Sequence, residues 1–195
     1  MKGNAAAASR RAPPETRTGE RREGLTIWLT GLPCAGKSTI AAALAPRLRQ
    51  LGQRVELLDG DVVRTHLSRG LGFSREDRDT NVLRIAFVAD LLARNGVTVI
   101  VAAVSPYAAT REQARQQIGR FIEVYVECPV DECERRDVKG MYRRARAGQM
   151  RFFTGVDDPY EAPERPEVIV RTNHDDVAAS VQAILAAVQS YKRSR

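Results

Sequence analysis

Short runs of apolar residues recur along the chain from Leu25 onward, each followed by a longer helical pattern. Within each run the apolar residues are continuous rather than alternating, which is typical of strands buried on both faces of a parallel sheet. The predicted strands are residues 25–30, 55–58, 97–104, 121–127 and 167–170. The alternation of strand and helix predicts a three-layer α/β fold, a five-stranded and mostly parallel sheet with helices on both faces.

Apolar residues at helical spacing predict four helices, at about residues 37–51, 79–95, 110–119 and 177–191. Gly52 and Gly96 follow the first two, at the position where glycine commonly ends a helix. The chain of 195 residues is long enough for one well-buried domain, which we place at residues 24–195.

The segment between the fourth and fifth strands, residues 133–166, predicts no strand and is called the lid below. It carries seven basic side chains against two acidic ones between Glu134 and Arg151. The basic residues are Arg135, Arg136, Lys139, Arg143, Arg144, Arg146 and Arg151. A basic insertion at this point indicates a lid over an anionic ligand, while a surface helix with a solvated arginine face would carry the same charge.

Composition and charge exclude several classes of protein. The longest apolar run, residues 97–104, is far shorter than the roughly 20 residues that a membrane helix needs, so we expect no membrane association. The net charge is +7, but residues 1–23 and the last four residues hold +3 each, which leaves +1 for the rest. Charge held at the two ends favours solvated termini over a nucleic-acid surface, and residues 1–23 are predicted to be a disordered tail.

The three cysteines are an odd number without C-x-x-C spacing, so neither a disulfide framework nor a zinc site is indicated. This usage favours a reducing, cytoplasmic location.

A phosphate-binding motif joins the first predicted strand to the first predicted helix. The chain matches G-x-x-x-x-G-K-[ST] with Gly31, Leu32, Pro33, Cys34, Ala35, Gly36, Lys37 and Ser38, and Thr39 follows. In this motif the glycines let backbone N–H groups face phosphate oxygens at the start of a helix. We therefore expect a nucleoside triphosphate there, with Lys37 as a catalytic residue on the β- and γ-phosphates and Ser38 as a ligand of Mg²⁺.

An acid is also needed near the phosphates, and the third predicted strand offers none before Ser105. The second strand ends in Asp59-Gly60-Asp61, at the sheet edge where ligands gather in open α/β folds. A carboxylate there can accept the proton of an attacking hydroxyl or hold the metal's water shell, and the family resemblance given below selects Asp61 of the two as catalytic residue and metal ligand. The alternative is that the two acids only cap the next helix.

Four segments of the chain resemble the adenylyl-sulfate kinase family, over about residues 22–191. They are the phosphate-binding loop; Asp59-Gly60-Asp61 with Arg64, residues 71–78 and Asn81; Ser105-Pro106-Tyr107; and residues 139–160. Kinases of this family transfer the γ-phosphate of ATP to the 3′-hydroxyl of adenylyl sulfate and yield 3′-phosphoadenylyl sulfate. The resemblance implies a P-loop fold, Mg²⁺ as cofactor, a role in sulfate assimilation, a homodimer and a link to a sulfate adenylyltransferase.

The resemblance also implies the residues that contact the phosphoryl acceptor. These are Asp61, Arg64, Phe73, Arg78, Asn81, Ser105, Lys139 and Phe153. The basic residues among them can pair with the anionic phosphosulfate, and an adenine ring can stack between Phe73 and Phe153. The alternative for the two phenylalanines is ordinary core packing. In the lid, Arg143, Arg144 and Arg146 are candidates to neutralise charge in the transition state.

Ser105 is a candidate catalytic residue because the family's serine at this position has been regarded as a phosphorylated intermediate. Direct in-line transfer is preferred here, since nothing in the sequence supplies a base for Ser105. Residues 172–176 partly match the guanine-reading Asn-Lys-x-Asp pattern but lack its lysine, so a helix cap before Val177 and ATP as phosphoryl donor are expected.

Other functions remain open on the residues alone. Another small P-loop kinase, for shikimate, gluconate or a nucleoside monophosphate, would share the loop but not both long segments at residues 71–78 and 153–160. A regulatory nucleotide switch would bind ATP without turnover, and a nucleic-acid binder would show a steep salt dependence.

Overall fold

The computed structural model describes residues 24–194, which form one five-stranded sheet with helices on both faces. The strands are β1 (Thr26–Thr30), β2 (Val55–Asp59), β3 (Thr98–Ala102), β4 (Phe121–Glu127) and β5 (Val168–Arg171). They lie in the order β2-β3-β1-β4-β5, and every neighbouring pair is parallel. The predicted fold class is confirmed. The predicted tail at residues 1–23 lies outside the described residues.

The four predicted helices are present, and three short ones were not predicted. The helices are α1 (Lys37–Gln50), α2 (Gly60–His66), α3 (Arg75–Ala93), α4 (Ala108–Ile118), α5 (Val130–Arg136), α6 (Met141–Arg146) and α7 (Val177–Arg193). The prediction began α3 four residues too late, at residue 79. The helix begins at Arg75 because the Ser74 side chain caps it, accepting a hydrogen bond from the Asp77 backbone N–H at 3.2 Å.

Strand β1 is buried on both faces and divides the core into two layers. Leu29 belongs to the layer that contains Leu44 of α1 and Ile184 of α7. Trp28 points to the opposite face, into the layer that contains Ile85 of α3. Successive side chains of a strand point to opposite faces, so a continuous apolar run is what this burial requires.

The strand order places three loops at one edge of the sheet. The chain runs from β1 through α1 to β2 and returns to β3, which lies between them, and it then crosses β1 to reach β4. The carboxyl end of β1 is therefore the point where the direction of the connections reverses, and ligands bind at such points in open α/β sheets. Residue 31 follows β1, Asp59 ends β2 and Ser105 follows β3 at this edge.

Among residues 24–194, no helix combines the length and the apolar character needed to cross a membrane.

Gly24 offers a test of how tightly the start of β1 is packed. Its N–H donates to the Ala93 carbonyl at 2.8 Å, and a Cβ at this position would lie 1.9 Å from the Val97 carbonyl oxygen. We expect Gly24→Ala to lower the free energy of unfolding by about 1–3 kcal/mol through this collision. Urea denaturation followed by the fluorescence of Trp28, the only tryptophan in the chain, measures it.

Gly70→Ala is the control for that experiment. Gly70 has a φ of 93° but nothing within 4 Å of an added Cβ, so alanine there imposes backbone strain without a collision. Equal losses of stability in the two variants would contradict the packing argument.

Candidate active site

The loop between β1 and α1 has the conformation that its glycines were expected to provide. Gly31 and Gly36 have φ values of 152° and 100°, and Cys34 also has a positive φ of 61°. A Cβ on Gly31 would approach the Val126 carbonyl oxygen to 2.4 Å, so only glycine fits against β4. Gly36 is the N-cap of α1, which leaves the first N–H groups of the helix directed at the loop interior.

Lys37 occupies the centre of this loop. Its Nζ donates to the carbonyl oxygens of Gly31 at 2.9 Å and Leu32 at 2.7 Å, and the residue is buried. Burial lowers the pKa of the Lys37 ammonium to about 8. The same three N–H donors can turn to phosphate oxygens when a triphosphate enters the loop.

The two acids after β2 are separated by their contacts. The Ser38 hydroxyl donates to Asp59 Oδ2 at 2.6 Å, and Asp59 Oδ1 accepts a hydrogen bond from the Asp61 backbone N–H at 3.0 Å. Asp59 is thus both the cap of α2 and the carboxylate beside Ser38. The exposed Asp61 instead forms an ion pair with Lys139 of the lid. The sequence placed Asp59 at the ligand-binding edge beside Asp61, but only Asp61 was chosen from it as a site residue.

The Ser38 and Asp59 oxygens suit Mg²⁺, which prefers hard oxygen ligands. Within residues 24–194 no group of three or more His, Cys, Asp or Glu side chains could hold a metal ion. Kinase sites meet this limit by using one or two protein oxygens together with the phosphates of the substrate. The metal role of Ser38 stays a prediction, and the carboxylate beside Ser38 in the structure is Asp59 rather than the predicted Asp61.

A cavity of about 710 Å³ extends from the loop along the sheet edge. Most of the predicted site residues line it, namely Pro33, Cys34, Gly36, Lys37, Ser38, Thr39, Asp61, Arg64, Phe73, Arg78, Asn81, Ser105, Lys139 and Phe153. Gly31, Leu32 and Ala35 form the back of the loop and are buried. The cavity thus joins a phosphate-binding end to a second end with two arginines and an aromatic ring.

Phe73 lies between the two arginines at the second end. The guanidinium carbon of Arg64 lies 4.6 Å from the centre of the Phe73 ring, and that of Arg78 lies 5.5 Å from it. Arg64 also donates to the Gly72 carbonyl at 2.9 Å. Burial is the main cause that lowers the pKa of each arginine. Arg64 and Arg78 therefore both contact the Phe73 ring at this end of the cavity.

The buried Arg78 contacts the protein itself rather than facing open solvent. It donates to the carbonyl oxygens of Phe73, at 3.0 Å, and of Phe152, and it lies 3.7 Å from an Asp158 oxygen. Its observed contacts join the two sides of the pocket. Direct pairing of Arg78 with an anionic ligand stays a prediction.

Phe153 is less available for stacking than Phe73. It is 2% exposed and packs edge-on against Tyr142, with ring centres 4.9 Å apart. The neighbouring Phe152 is 53% exposed and has a φ of 59°. Phe153 is therefore mostly packed in the core, which was the alternative for these rings, while the more exposed Phe73 lines the cavity. Stacking of a base between Phe73 and Phe153 stays a prediction.

Asn81 Oδ1 is buried and has no hydrogen-bond partner among the described residues. A buried polar atom without a partner is costly, and this one belongs to a residue of the cavity wall. A ligand donor group would relieve that cost.

Ser105 is held at both of its oxygen atoms. Its hydroxyl accepts a hydrogen bond from the indole N–H of Trp28 at 3.0 Å, and its carbonyl accepts one from Arg111 at 2.7 Å. The residue is buried and has a φ of 47°. Because the indole is only a donor, the Ser105 hydroxyl serves as an acceptor in the core.

One lid arginine reaches the phosphate-binding loop, and it was not singled out from the sequence. Arg136 donates to the Thr172 carbonyl at 2.7 Å and to the Thr172 hydroxyl at 3.1 Å, and it approaches the Cys34 carbonyl at 3.5 Å. The three predicted candidates, Arg143, Arg144 and Arg146, do not line the large cavity in this structure. The sequence could not select Arg136 from the seven basic residues of the lid, because its position depends on hydrogen bonds to Thr172, which is distant in sequence.

The segment at residues 172–176 has the predicted capping role. The Asp176 side chain accepts from the Ala179 N–H at 2.7 Å and caps α7, while Asp175 accepts from the Arg171 N–H at 2.9 Å. The Thr172 hydroxyl donates to the Ala35 carbonyl at 2.9 Å, which ties this segment to the loop.

Comparisons with known proteins agree with this geometry. The family model for adenylylsulphate kinase matches residues 23–171. The adenylyl-sulfate kinase of Synechococcus sp. (strain JA-3-3Ab) is 55% identical over 170 residues, which cover 87% of this chain and 97% of that protein. A probable bifunctional SAT/APS kinase of Sorangium cellulosum is 52% identical over 166 residues, 85% of this chain and 29% of that protein.

A solved structure shows the same likeness. The structure of the Mycobacterium tuberculosis APS kinase CysC in complex with AMPPNP and APS superposes with a TM-score of 0.83 at 38% identity, covering 86% of this chain and 98% of that one.

The burial of Lys37 predicts a dependence of stability on pH. Its pKa is about 8 in the folded protein against 10.5 when exposed, so the unfolded chain binds more protons between these values and the free energy of unfolding rises with pH there. The full pKa difference corresponds to a change of about 3 kcal/mol in the free energy of unfolding. Relative to Lys37→Met, the wild-type protein should gain stability from pH 8 to pH 10, as measured by urea denaturation.

The comparison with Lys37→Met removes the contribution of other groups that titrate in the same range. A constant difference between the two proteins from pH 7 to pH 10 would show that the ammonium is not desolvated.

Proposed function

This chain belongs to the adenylyl-sulfate kinase family, and we propose that its large cavity holds ATP at the phosphate-binding loop and adenylyl sulfate (APS) at the Phe73 end. Enzymes of this family phosphorylate APS to 3′-phosphoadenylyl sulfate, and the chain is a kinase of this type. The main support for this proposal is the continuous cavity, which has Lys37 and Ser38 at one end and Arg64 and Phe73 at the other.

The ATP end is assigned from the loop contacts. Lys37 would exchange its two carbonyl partners for oxygens of the β- and γ-phosphates, and the N–H groups at the start of α1 would face the phosphates. Ser38 and Asp59 are the residues that would hold Mg²⁺. When bound there, Mg²⁺ supplies positive charge that offsets the charge developing on the transferring phosphoryl group.

Asp61 is assigned to the acceptor. With Asp59 engaged beside Ser38, Asp61 is the carboxylate that remains to face the 3′-hydroxyl. As the 3′-oxygen forms its bond to the γ-phosphorus and the bond to the bridging oxygen of ADP breaks, the hydroxyl proton passes to Asp61. The ion pair with Lys139 keeps this carboxylate directed at the cavity.

The anionic phosphosulfate of APS fits the basic side chains at the Phe73 end. Arg64 is half-buried above the Phe73 ring, and Lys139 enters from the lid. The attraction between these side chains and the phosphosulfate would become stronger once the lid excludes water, because fewer water molecules then screen it. Asn81 offers an acceptor atom to the adenosine part of the ligand.

The wider setting is proposed from the family and from composition. The fusion of a related kinase to a sulfate adenylyltransferase in S. cellulosum supports a functional link between the two activities. We also propose a homodimer and a cytoplasmic location, the latter from cysteine usage alone.

Turnover of APS is the test of the proposed function. With Mg·ATP, the protein is expected to phosphorylate APS at the 3′-hydroxyl and to leave shikimate, gluconate and nucleoside monophosphates unchanged. GTP should give a lower kcat/KM than ATP. Formation of 3′-phosphoadenylyl sulfate is measured by chromatography, and failure to convert APS would overturn the proposal.

Direct transfer is tested by comparing Ser105→Ala with Asp61→Asn. Ser105→Ala should keep most of its kcat, since the hydroxyl faces Trp28, although its stability should fall by about 1–3 kcal/mol because the indole N–H loses its partner. Asp61→Asn should lose about 10²–10⁴ in kcat with unchanged stability. Initial rates at saturating substrates measure both.

A Ser105→Ala protein that is folded but reduced to background activity would contradict the prediction that the serine hydroxyl is dispensable for transfer.

A further inference from the structure

Arg111 of α4 is a buried cation that the reaction described above does not use. Its side chain is 4% exposed, and its guanidinium contacts three parts of the chain that are distant in sequence. Nε donates to Glu123 of β4 at 2.8 Å, Nη1 to the Ser105 carbonyl at 2.7 Å, and Nη2 to the Glu161 carbonyl at 2.7 Å. Only a planar fork of fixed geometry can serve all three.

The two carbonyls belong to segments that meet at the cavity. Ser105 begins the turn of residues 105–107 after β3, and Glu161 ends the returning arm of the lid, residues 152–161. The Glu161 N–H donates to the Pro106 carbonyl at 2.8 Å, and the Glu161 side chain accepts from the Ala108 N–H at 2.7 Å. Turn and arm are therefore joined to each other, with Arg111 bonded to both.

Side-chain contacts connect the turn and the arm to the Phe73 pocket. The Tyr107 hydroxyl, in the turn, donates to the carboxylate of Asp158, in the arm, at 2.9 Å. Asp158 lies 3.7 Å from Arg78, which donates in turn to the carbonyls of Phe73 and Phe152. A displacement of the arm relative to the turn would thus be passed to both aromatic sides of the pocket.

We propose that Arg111 is a positioning residue for the phosphoryl acceptor, an inference that rests on the proposed function. By bonding the turn and the returning arm at once, it sets the distance between the Phe73 side of the pocket and the side at Phe152 and Phe153. Among the contacts of residues 24–194, none joins Arg111 to the phosphate-binding loop. The loss of Arg111 therefore affects binding of APS more than binding of ATP.

The backbone of Ser105 supports this role. A positive φ of 47° is unfavourable for a residue other than glycine and persists only where the surroundings hold it. Three bonds hold it here: one from Trp28 to the hydroxyl, and two to the carbonyl, from Arg111 at 2.7 Å and from Thr30 at 3.4 Å. Without Arg111 the turn can relax, and Pro106 and Ser105 line the cavity directly.

Arg115 provides a matched control on the same helix. It also pairs with Glu123, at 3.4 Å, and it forms a second ion pair with Glu167 at 2.7 Å. These partners lie in β4 and just before β5, outside the turn and the arm. Arg115→Lys therefore perturbs the same buried carboxylate without loosening the pocket.

The experiment measures KM for APS and KM for ATP in the wild-type protein, Arg111→Lys and Arg115→Lys. Arg111→Lys keeps the charge beside Glu123 but cannot bridge both carbonyls, so KM for APS should rise about tenfold or more while KM for ATP stays within about twofold. Arg115→Lys should leave both constants near the wild-type values. Thermal unfolding of each variant shows whether stability explains the result.

Equal changes of both constants in Arg111→Lys, or the same selective change in Arg115→Lys, would overturn the positioning role. If Arg111→Lys does not fold, Tyr107→Phe decides, because it removes only the bond from the turn to Asp158 and should raise KM for APS selectively as well. A wild-type protein inactive on APS would refute the proposed function. In that case the dissociation constant for APS, measured by calorimetry, would still test the positioning role by comparing Arg111→Lys with Arg115→Lys.

Discussion

A buried cation is tolerated only where oxygen atoms replace its lost water, and the site depends on three cations that meet this condition in the same way. Lys37, Arg78 and Arg111 are all buried, and each donates to two backbone carbonyl oxygens. Lys37 closes the phosphate-binding loop on itself, Arg78 joins the two sides of the Phe73 pocket, and Arg111 joins the turn to the returning arm. The irregular backbone of the site is thus held by charge, while the sheet beneath it is held by apolar packing.

The contacts at the end of β2 give the two acids different roles from one local motif. Asp59 has the extended backbone of a cap residue, and its carboxylate reaches both the Asp61 N–H and the Ser38 hydroxyl. Asp61 is the first acid inside α2, where the start of the helix favours its negative charge. One carboxylate is therefore fixed beside Ser38 of the phosphate-binding loop, while the other remains exposed and paired with Lys139.

The sheet and the phosphate-binding loop were predictable because their signals are local. Continuous apolar runs marked the strands, and the loop residues are contiguous with a strand before them and a helix after them. The pairing of Ser38 with Asp59 spans 21 residues, and that of Arg136 with Thr172 spans 36, so neither leaves a local pattern. The sequence also could not distinguish Phe152 from Phe153, because the positive φ of Phe152 accompanies hydrogen bonds that the backbone N–H groups of both residues donate to the Asp157 carboxylate.

The lid has two fixed ends, and this restricts where it can move. On the ATP side Arg136 bonds to Thr172, which bonds in turn to Ala35 of the loop. On the acceptor side Glu161 bonds to Arg111 and to the turn after β3. The segment between these ends carries Lys139, whose partner Asp61 lies across the cavity. Closure over two ligands then requires movement only of the part of this segment before residue 152, while Arg136 and the returning arm keep the walls of both pockets in place and water is excluded.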